Sequence, residues 1–130
     1  MAQLSHVFLA LTASAAVTLS AQVSVPALDP PGLSQILKSG KWTIVEFGGP
    51  TCIPCKKMQP ILGELQQQFG DRAQIRNFYV TEHPDAARPH KIIAMPTQVV
   101  FDPRGKEVTR HIGFWPKTEF LSGLAAVGLK

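Results

Sequence analysis

From residue 31 onward the apolar positions change period repeatedly, and each change marks an element. Leu33, Ile36 and Leu37 recur at helical spacing and Gly40 stops the run, which predicts a short helix near residues 31–39. Pro26, Pro30 and Pro31, around its start, read as a linker. Trp42 to Phe47 is β-branched and aromatic on both faces, the pattern of a central strand covered on both sides, and Gly48-Gly49-Pro50 breaks it. Beyond Cys55 the period turns helical again. Met58, Ile61, Leu62, Leu65 and Phe69 share one face, Gln66, Gln67 and Gln68 form the wet side, and Gly70 ends the helix. Pro60 lies inside and deprives the Lys56 carbonyl of its partner, so a bend is expected there.

Residues 73–80 predict a second strand, 83–91 a short helical turn bounded by Pro84 and Pro89, and 97–101 a third strand. Asp102-Pro103-Arg104-Gly105 has the composition of a β-turn, and residues 106–112 return from it, so the two strands form a hairpin. Pro116 suits a first helical position, and Phe120, Leu121, Leu124 and Val127 give the last helix one apolar face. The order is α β α β α β β α. A strand–helix–strand start implies a parallel pair, and the terminal hairpin adds an antiparallel edge. The fold class is therefore α/β: a small mixed sheet flanked by helices.

Composition changes this picture at one end only. The 130-residue chain is 45% hydrophobic and 17% charged, a globular balance with room for one domain. Residues 1–28 contain no Asp, Glu, Lys or Arg. The apolar centre around Val7–Leu11 and the small residues after it fit a signal peptide, with Ala13-Ser14-Ala15 and Thr18-Leu19-Ser20 as cleavage candidates. No Lys or Arg precedes that centre, which a signal normally has. An uncleaved anchor over Val7 to Val25 is a second reading, and a start with neither role a third. The division is a leader or anchor with linker over residues 1–28 and a domain over 29–130, which would leave a mature domain on the order of 105–110 residues. The first two readings place the domain outside the cytoplasm, in a periplasm or its equivalent.

The net charge of +4 comes from basic residues scattered from Lys38 to Lys130. They form no stripe of the kind nucleic acid requires, so no nucleic-acid partner is expected. No long apolar surface beyond the leader points to an oligomer, and a monomer is expected.

The candidate chemistry lies in "GGPTCIPCKKMQP", residues 48–60, which holds both cysteines of the chain. Disulfide exchange needs a thiolate, hence a thiol with a lowered pKa. Cys52 sits where a strand ends and a helix begins, and there free N–H groups and the helix dipole favour negative charge. Cys55, one turn on, brings a second sulfur within bonding reach. Pro54 is tolerated in the first turn and stiffens it. Two other readings stand beside the redox one. A soft-metal carrier could use the pair as copper or zinc ligands, although His83, His90 and His111 offer no tightly spaced second pair. The cysteines could also be structural.

With these residues the chain resembles the thioredoxin family over about residues 31–128. "VEFGGPTCIPCKKMQP" is similar to the family's strand, active-site loop and kinked helix. "MPT" (95–97) is similar to its cis-proline segment, and "DPRGKEV" with "HIGF" to its hairpin turn and the glycine beyond. The resemblance implies the thioredoxin fold and a thiol–disulfide oxidoreductase, working mainly as a reductant of protein disulfides. Cys52 would attack, Cys55 would resolve, and no cofactor beyond their disulfide would be needed. A reductant outside the cytoplasm implies a membrane thiol relay as electron source.

The resemblance also implies a cis Pro96, with Met95 offering its backbone to a bound substrate strand. An ordinary trans turn proline is the alternative. Glu46 stands where many thioredoxins carry a buried Asp. It could relay a proton to or from Cys55, or be a structural acid paired with Lys57 or Lys91. The chain departs from the pattern at three places: Thr51 replaces the usual Trp before the first cysteine, Asn77 replaces a lysine, and Ile53 adds an apolar contact beside Cys52. Thr51, Ile53, Pro54, Met95 and Pro96 are thus the expected substrate-contacting residues. Trp115 is expected in the core or at the rim.

Overall fold

The computed structural model describes residues 24–130. The leader or anchor expected over the first residues lies outside that range. Five strands form one sheet in the order β1-β3-β2-β4-β5. The strands are β1 (Ala27–Leu28), β2 (Trp42–Gly48), β3 (Ala73–Tyr79), β4 (Thr97–Phe101) and β5 (Glu107–Ile112). The helices are α1 (Pro30–Leu37), α2 (Ile53–Phe69), α3 (Pro84–Ala87) and α4 (Lys117–Ala126). β2 is central, pairing parallel with β3 and antiparallel with β4, and β4 pairs antiparallel with β5.

Side chains alternate across a strand, so β2 feeds two cores. Val45 and Phe47 pack with Leu33, Ile36, Phe78 and Phe101 on one side. Ile44 packs with Met58, Leu62, Leu65, Phe120 and Leu124 on the other. Glu46 shares the parity of Ile44 and therefore faces α2. In register with it lie Asn77 on β3 and Gln98 on β4, and the partner of Gln98 on β5 is His111. A polar row thus crosses the sheet face that also carries Ile44, Ile75 and Val100.

Four local readings change. The supposed linker is partly structure: β1 pairs parallel with β3, Val25 is buried in the core, and the backbone N–H of Asn77 donates to the Pro26 carbonyl. Two residues at a sheet edge carry too little pattern to be seen in sequence, and Pro is tolerated beside such an edge. Pro30 and Pro31 open α1, whose N-cap Asp29 accepts from Gly32 N–H. Pro116 is the N-cap of α4 rather than its first residue. Gln66 is not simply wet: its amide ties α2 to β3, accepting from the Ile75 N–H at 2.8 Å and donating to the Ala73 carbonyl at 3.0 Å. Trp115 is buried, stacked between His111 and Phe120.

Candidate active site

The loop leaving β2 delivers the cysteines to the start of α2. Cys52 is the N-cap residue, and its Sγ accepts the Cys55 N–H at 3.3 Å. The two sulfurs are joined as a disulfide. Their surroundings differ: Cys52 is partly exposed, whereas Cys55 is buried under the loop. Gly48 explains how Cys55 fits, because a Cβ there would stand 2.8 Å from the Cys55 Sγ. Pro60 lies within the continuous helix Ile53–Phe69.

The rim around Cys52 is apolar. Ile53 is 67% exposed and Met95 39%. The Met95–Pro96 peptide is cis. Met95 Sδ lies 3.8 Å from the place a Cβ on Gly49 would take, and Cys52 Cβ borders the same place at 4.0 Å. The Gly113 N–H donates to the Pro96 carbonyl at 2.7 Å. That bond brings the exposed side chains of Ile112 and Phe114 to the same end of the sheet. Thr51 and Pro54 are exposed and Pro96 is buried. Met95 thus stands close to Cys52 across Gly49, and Ile112 and Phe114, which the pattern alone did not flag, are exposed next to the Pro96 segment.

Beneath the cysteines sits Glu46, fully buried. Burial pushes its carboxyl up to about 7, while hydrogen bonds from Gln98 and Gln59 pull the other way. Gln98 Nε2 lies 3.3 Å from Oε2 and Gln59 Nε2 lies 3.3 Å from Oε1. Among the described residues Glu46 makes no ion pair, and Lys57 and Lys91 are exposed. The lysine-paired structural acid is thus replaced by an acid held between neutral amides. A cavity of about 130 Å³ joins Glu46, Cys55, Gln59 and Asn77 to an outer mouth at Ser24 and Lys56. It has the room and the polar lining that a water molecule requires.

Sequence reasoning missed Gln59 and Gln98. Gln59 carried a signal, standing one helical turn after Cys55 and so on the same face. Gln98 carried one too, as a polar residue inside the apolar strand Thr97–Phe101 that the alternation turns toward α2. Among the described residues no group of three or more His, Cys, Asp and Glu comes together as a metal site would.

A buried and a partly exposed cysteine at a helix start, a cis-proline opposite and a buried acid behind invite comparison with known proteins. The sequence model of the thioredoxin family, described simply as "Thioredoxin", matches residues 33–126. The chain belongs to the thioredoxin family. It is 38% identical to a thioredoxin of Mycoplasma genitalium over 89 residues, spanning 68% of this chain and 85% of that one. It is 30% identical to thioredoxin 1 of Synechococcus elongatus over 90 residues, 69% of this chain and 83% of that one. A solved chain from work on the thiol resolving mechanism in yeast mitochondrial 1-Cys peroxiredoxin via glutathione/thioredoxin systems superposes with a TM-score of 0.70. It is 27% identical, and the match covers 82% of this chain and 99% of that one. The thioredoxin fold and a thioredoxin-type thiol–disulfide oxidoreductase with a Cys-x-x-Cys centre follow.

Proposed function

We propose that this thioredoxin-family protein reduces protein disulfides outside the cytoplasm, with Cys52 as nucleophile, Cys55 as resolving thiol and Glu46 as the proton partner of Cys55. The observation that carries the reading is the pairing of a partly exposed sulfur at a helix N-cap with a buried one beside a buried acid. The Cys52 thiolate attacks one substrate sulfur. The substrate S–S bond breaks, a mixed disulfide forms, and the departing thiolate takes a proton from water. Cys55 then gives its proton to the Glu46 carboxylate through the cavity, and its thiolate attacks Cys52. The second substrate sulfur leaves as a thiolate and takes up a proton from water, while Glu46 releases its own proton to solvent through the cavity. Two electrons pass to the substrate, and the Cys52–Cys55 disulfide seen here is the oxidised end of the cycle.

The helix dipole and the Cys55 N–H favour Cys52 as the ionised sulfur. Ile53, Met95, Ile112 and Phe114 offer apolar contact to an unfolded or extended segment, with Thr51, Pro54 and Pro96 completing the rim. Thr51 leaves this surface without the family's usual Trp, which favours a restricted set of substrates. The disulfide pair itself is the redox group, without a separate cofactor, and the protein acts as a monomer.

The location rests on residues 1–28, apolar and free of charged side chains. Both cleavage candidates, after Ala15 and after Ser20, precede Val25, so processing leaves the folded residues whole. No helix among the described residues is long and apolar enough to cross a membrane. Electrons then come from a membrane thiol relay that reduces the Cys52–Cys55 disulfide. Redox titration against glutathione tests the direction: a potential near the roughly −270 mV of a reducing thioredoxin is expected, and one near the roughly −120 mV of a strong periplasmic oxidant would reverse it. The mass of the chain recovered from cell fractions tests the location. A shortened chain outside the cytoplasm is expected, and a full-length chain confined to the cytoplasm would overturn it.

A further inference from the structure

The two sides that hold the Glu46 carboxyl are not equivalent. On the first, Gln59 Nε2 reaches Glu46 Oε1 at 3.3 Å, the Cys55 carbonyl at 3.3 Å and Asn77 Oδ1 at 3.0 Å. Asn77 returns the contact, donating from Nδ2 to Gln59 Oε1 at 2.8 Å and to the Val25 carbonyl at 2.9 Å. Backbone carbonyls only accept. Those of Val25 and Cys55 therefore fix which end of each amide is the donor, and turning either over would set oxygen against oxygen. Glu46 Oε1 thus faces the nitrogen end of an amide that cannot turn over, whose two hydrogens it shares with Asn77 Oδ1 and the Cys55 carbonyl.

The second side is free. Gln98 lies opposite Glu46 on β4 and is fully buried. Its one side-chain hydrogen bond among the described residues runs from Nε2 to Glu46 Oε2, at 3.3 Å. Its Oε1 is buried without a partner. No backbone carbonyl anchors this amide, and a Gln terminal torsion has two broad, nearly equivalent wells. Turning it over exchanges one unpaired atom for another, an oxygen for an N–H. The charge of Glu46 is then what decides between the wells: a carboxylate needs a donor, and a carboxylic acid offers one.

We propose that Gln98 is a positioning residue that inverts with the protonation of Glu46, donating Nε2–H to the carboxylate and turning Oε1 to accept from the O–H that forms on Oε2. The inference rests on Glu46 acting as the proton partner of Cys55. In that step the S–H bond of Cys55 breaks and an O–H bond forms on Glu46; Gln98 exchanges no proton and only reorients. The fixed Gln59 amide keeps the proton off Oε1. The inner carboxyl is thereby matched in both charge states without a neighbouring cation. The other titratable groups about the pair are Cys55 and Lys56 on α2 and Tyr79 on β3, which line the cavity, and His111 on β5, the cross-strand neighbour of Gln98. His111 is engaged elsewhere, stacked on Trp115 with Nε2 3.1 Å from the Phe114 carbonyl.

The test is NMR of the full chain in its disulfide form, where neither cysteine titrates, with Glu46 Cδ and the Gln side-chain amides observed between about pH 5 and 9. Both amides sense the charge on Glu46, but the Gln98 amide protons, which leave the carboxyl on protonation, should move with the Glu46 Cδ midpoint by far more than those of Gln59, which stay turned toward it. In Gln98→Met both charge states of Glu46 lose a partner, so the Glu46 midpoint should stay within about half a pH unit of the parent, whereas loss of a fixed donor alone would raise it by about one unit, a tenfold change in proton affinity. Gln98 signals that stay flat while Glu46 titrates would overturn the inversion, as would Gln59 signals that move equally or a Glu46 midpoint raised by a full unit or more in Gln98→Met. Absence of any Glu46 titration in this range is a different failure: it removes the proton-partner reading first, and the inversion with it.

Discussion

Glu46→Gln separates the electrostatics of the buried acid from its role in exchange. The side chain keeps its length and volume and loses the ability to ionise. In the unfolded chain the carboxyl ionises near 4.5, whereas in the fold burial pushes it to about 7. Between those values the native state holds a proton that the unfolded state has released, so stability falls as pH rises across the interval. Below 4.5 both states are protonated and nothing is lost. Above 7 the full difference is lost, and at about 1.4 kcal/mol per pH unit it amounts to ~3 kcal/mol. The variant escapes this loss. Urea unfolding of the disulfide form should show Glu46→Gln more stable than the parent by about 2–3 kcal/mol at pH 8 and equal to it at pH 4, with m unchanged. All other titrating groups cancel in that difference. A difference that does not vary with pH, or a loss of stability at pH 8, would refute the reasoning.

Other expectations follow from the same geometry. Gly48→Ala places a methyl 2.8 Å from the Cys55 Sγ; it should cost about 1–3 kcal/mol in urea unfolding and slow disulfide closure, and an unaltered closure rate would show that the inner sulfur is not held there. Cys55→Ser should trap mixed disulfides with protein substrates, visible as adducts that dissolve on adding thiol; full multiple-turnover activity without an added thiol would contradict the two-step assignment. Gly105→Ala should destabilise by about 1–3 kcal/mol in thermal unfolding, because Gly105 holds φ +78 against the Leu37 carbonyl; an unchanged midpoint would show that the hairpin turn relaxes freely.

The sequence was most informative where a side-chain period is long or a turn residue is demanded. Seven residues at Trp42–Gly48 and seventeen at Ile53–Phe69 declare themselves by pattern, and Gly105 closes a turn that its composition announces. Ala27–Leu28 does not, because two edge residues have no period and their ladder is specified by β3. The cysteines were legible from spacing, and the cis Met95–Pro96 bond from resemblance. The partners of Glu46 were not, since lysines and amides compete equally in one dimension. Only the register of three strands and one helical turn shows that Gln59, Asn77 and Gln98 are the groups that meet there.

The account depends most on the two sulfurs having unequal roles, which site-resolved alkylation of the reduced full-length protein measures directly. Iodoacetamide labelling followed by mass spectrometry, carried across about pH 4 to 10, should find Cys52 modified with a midpoint well below the ~8.5 of a free cysteine and Cys55 modified far more slowly. Equal labelling of both, or a Cys52 midpoint at the free value, would contradict it.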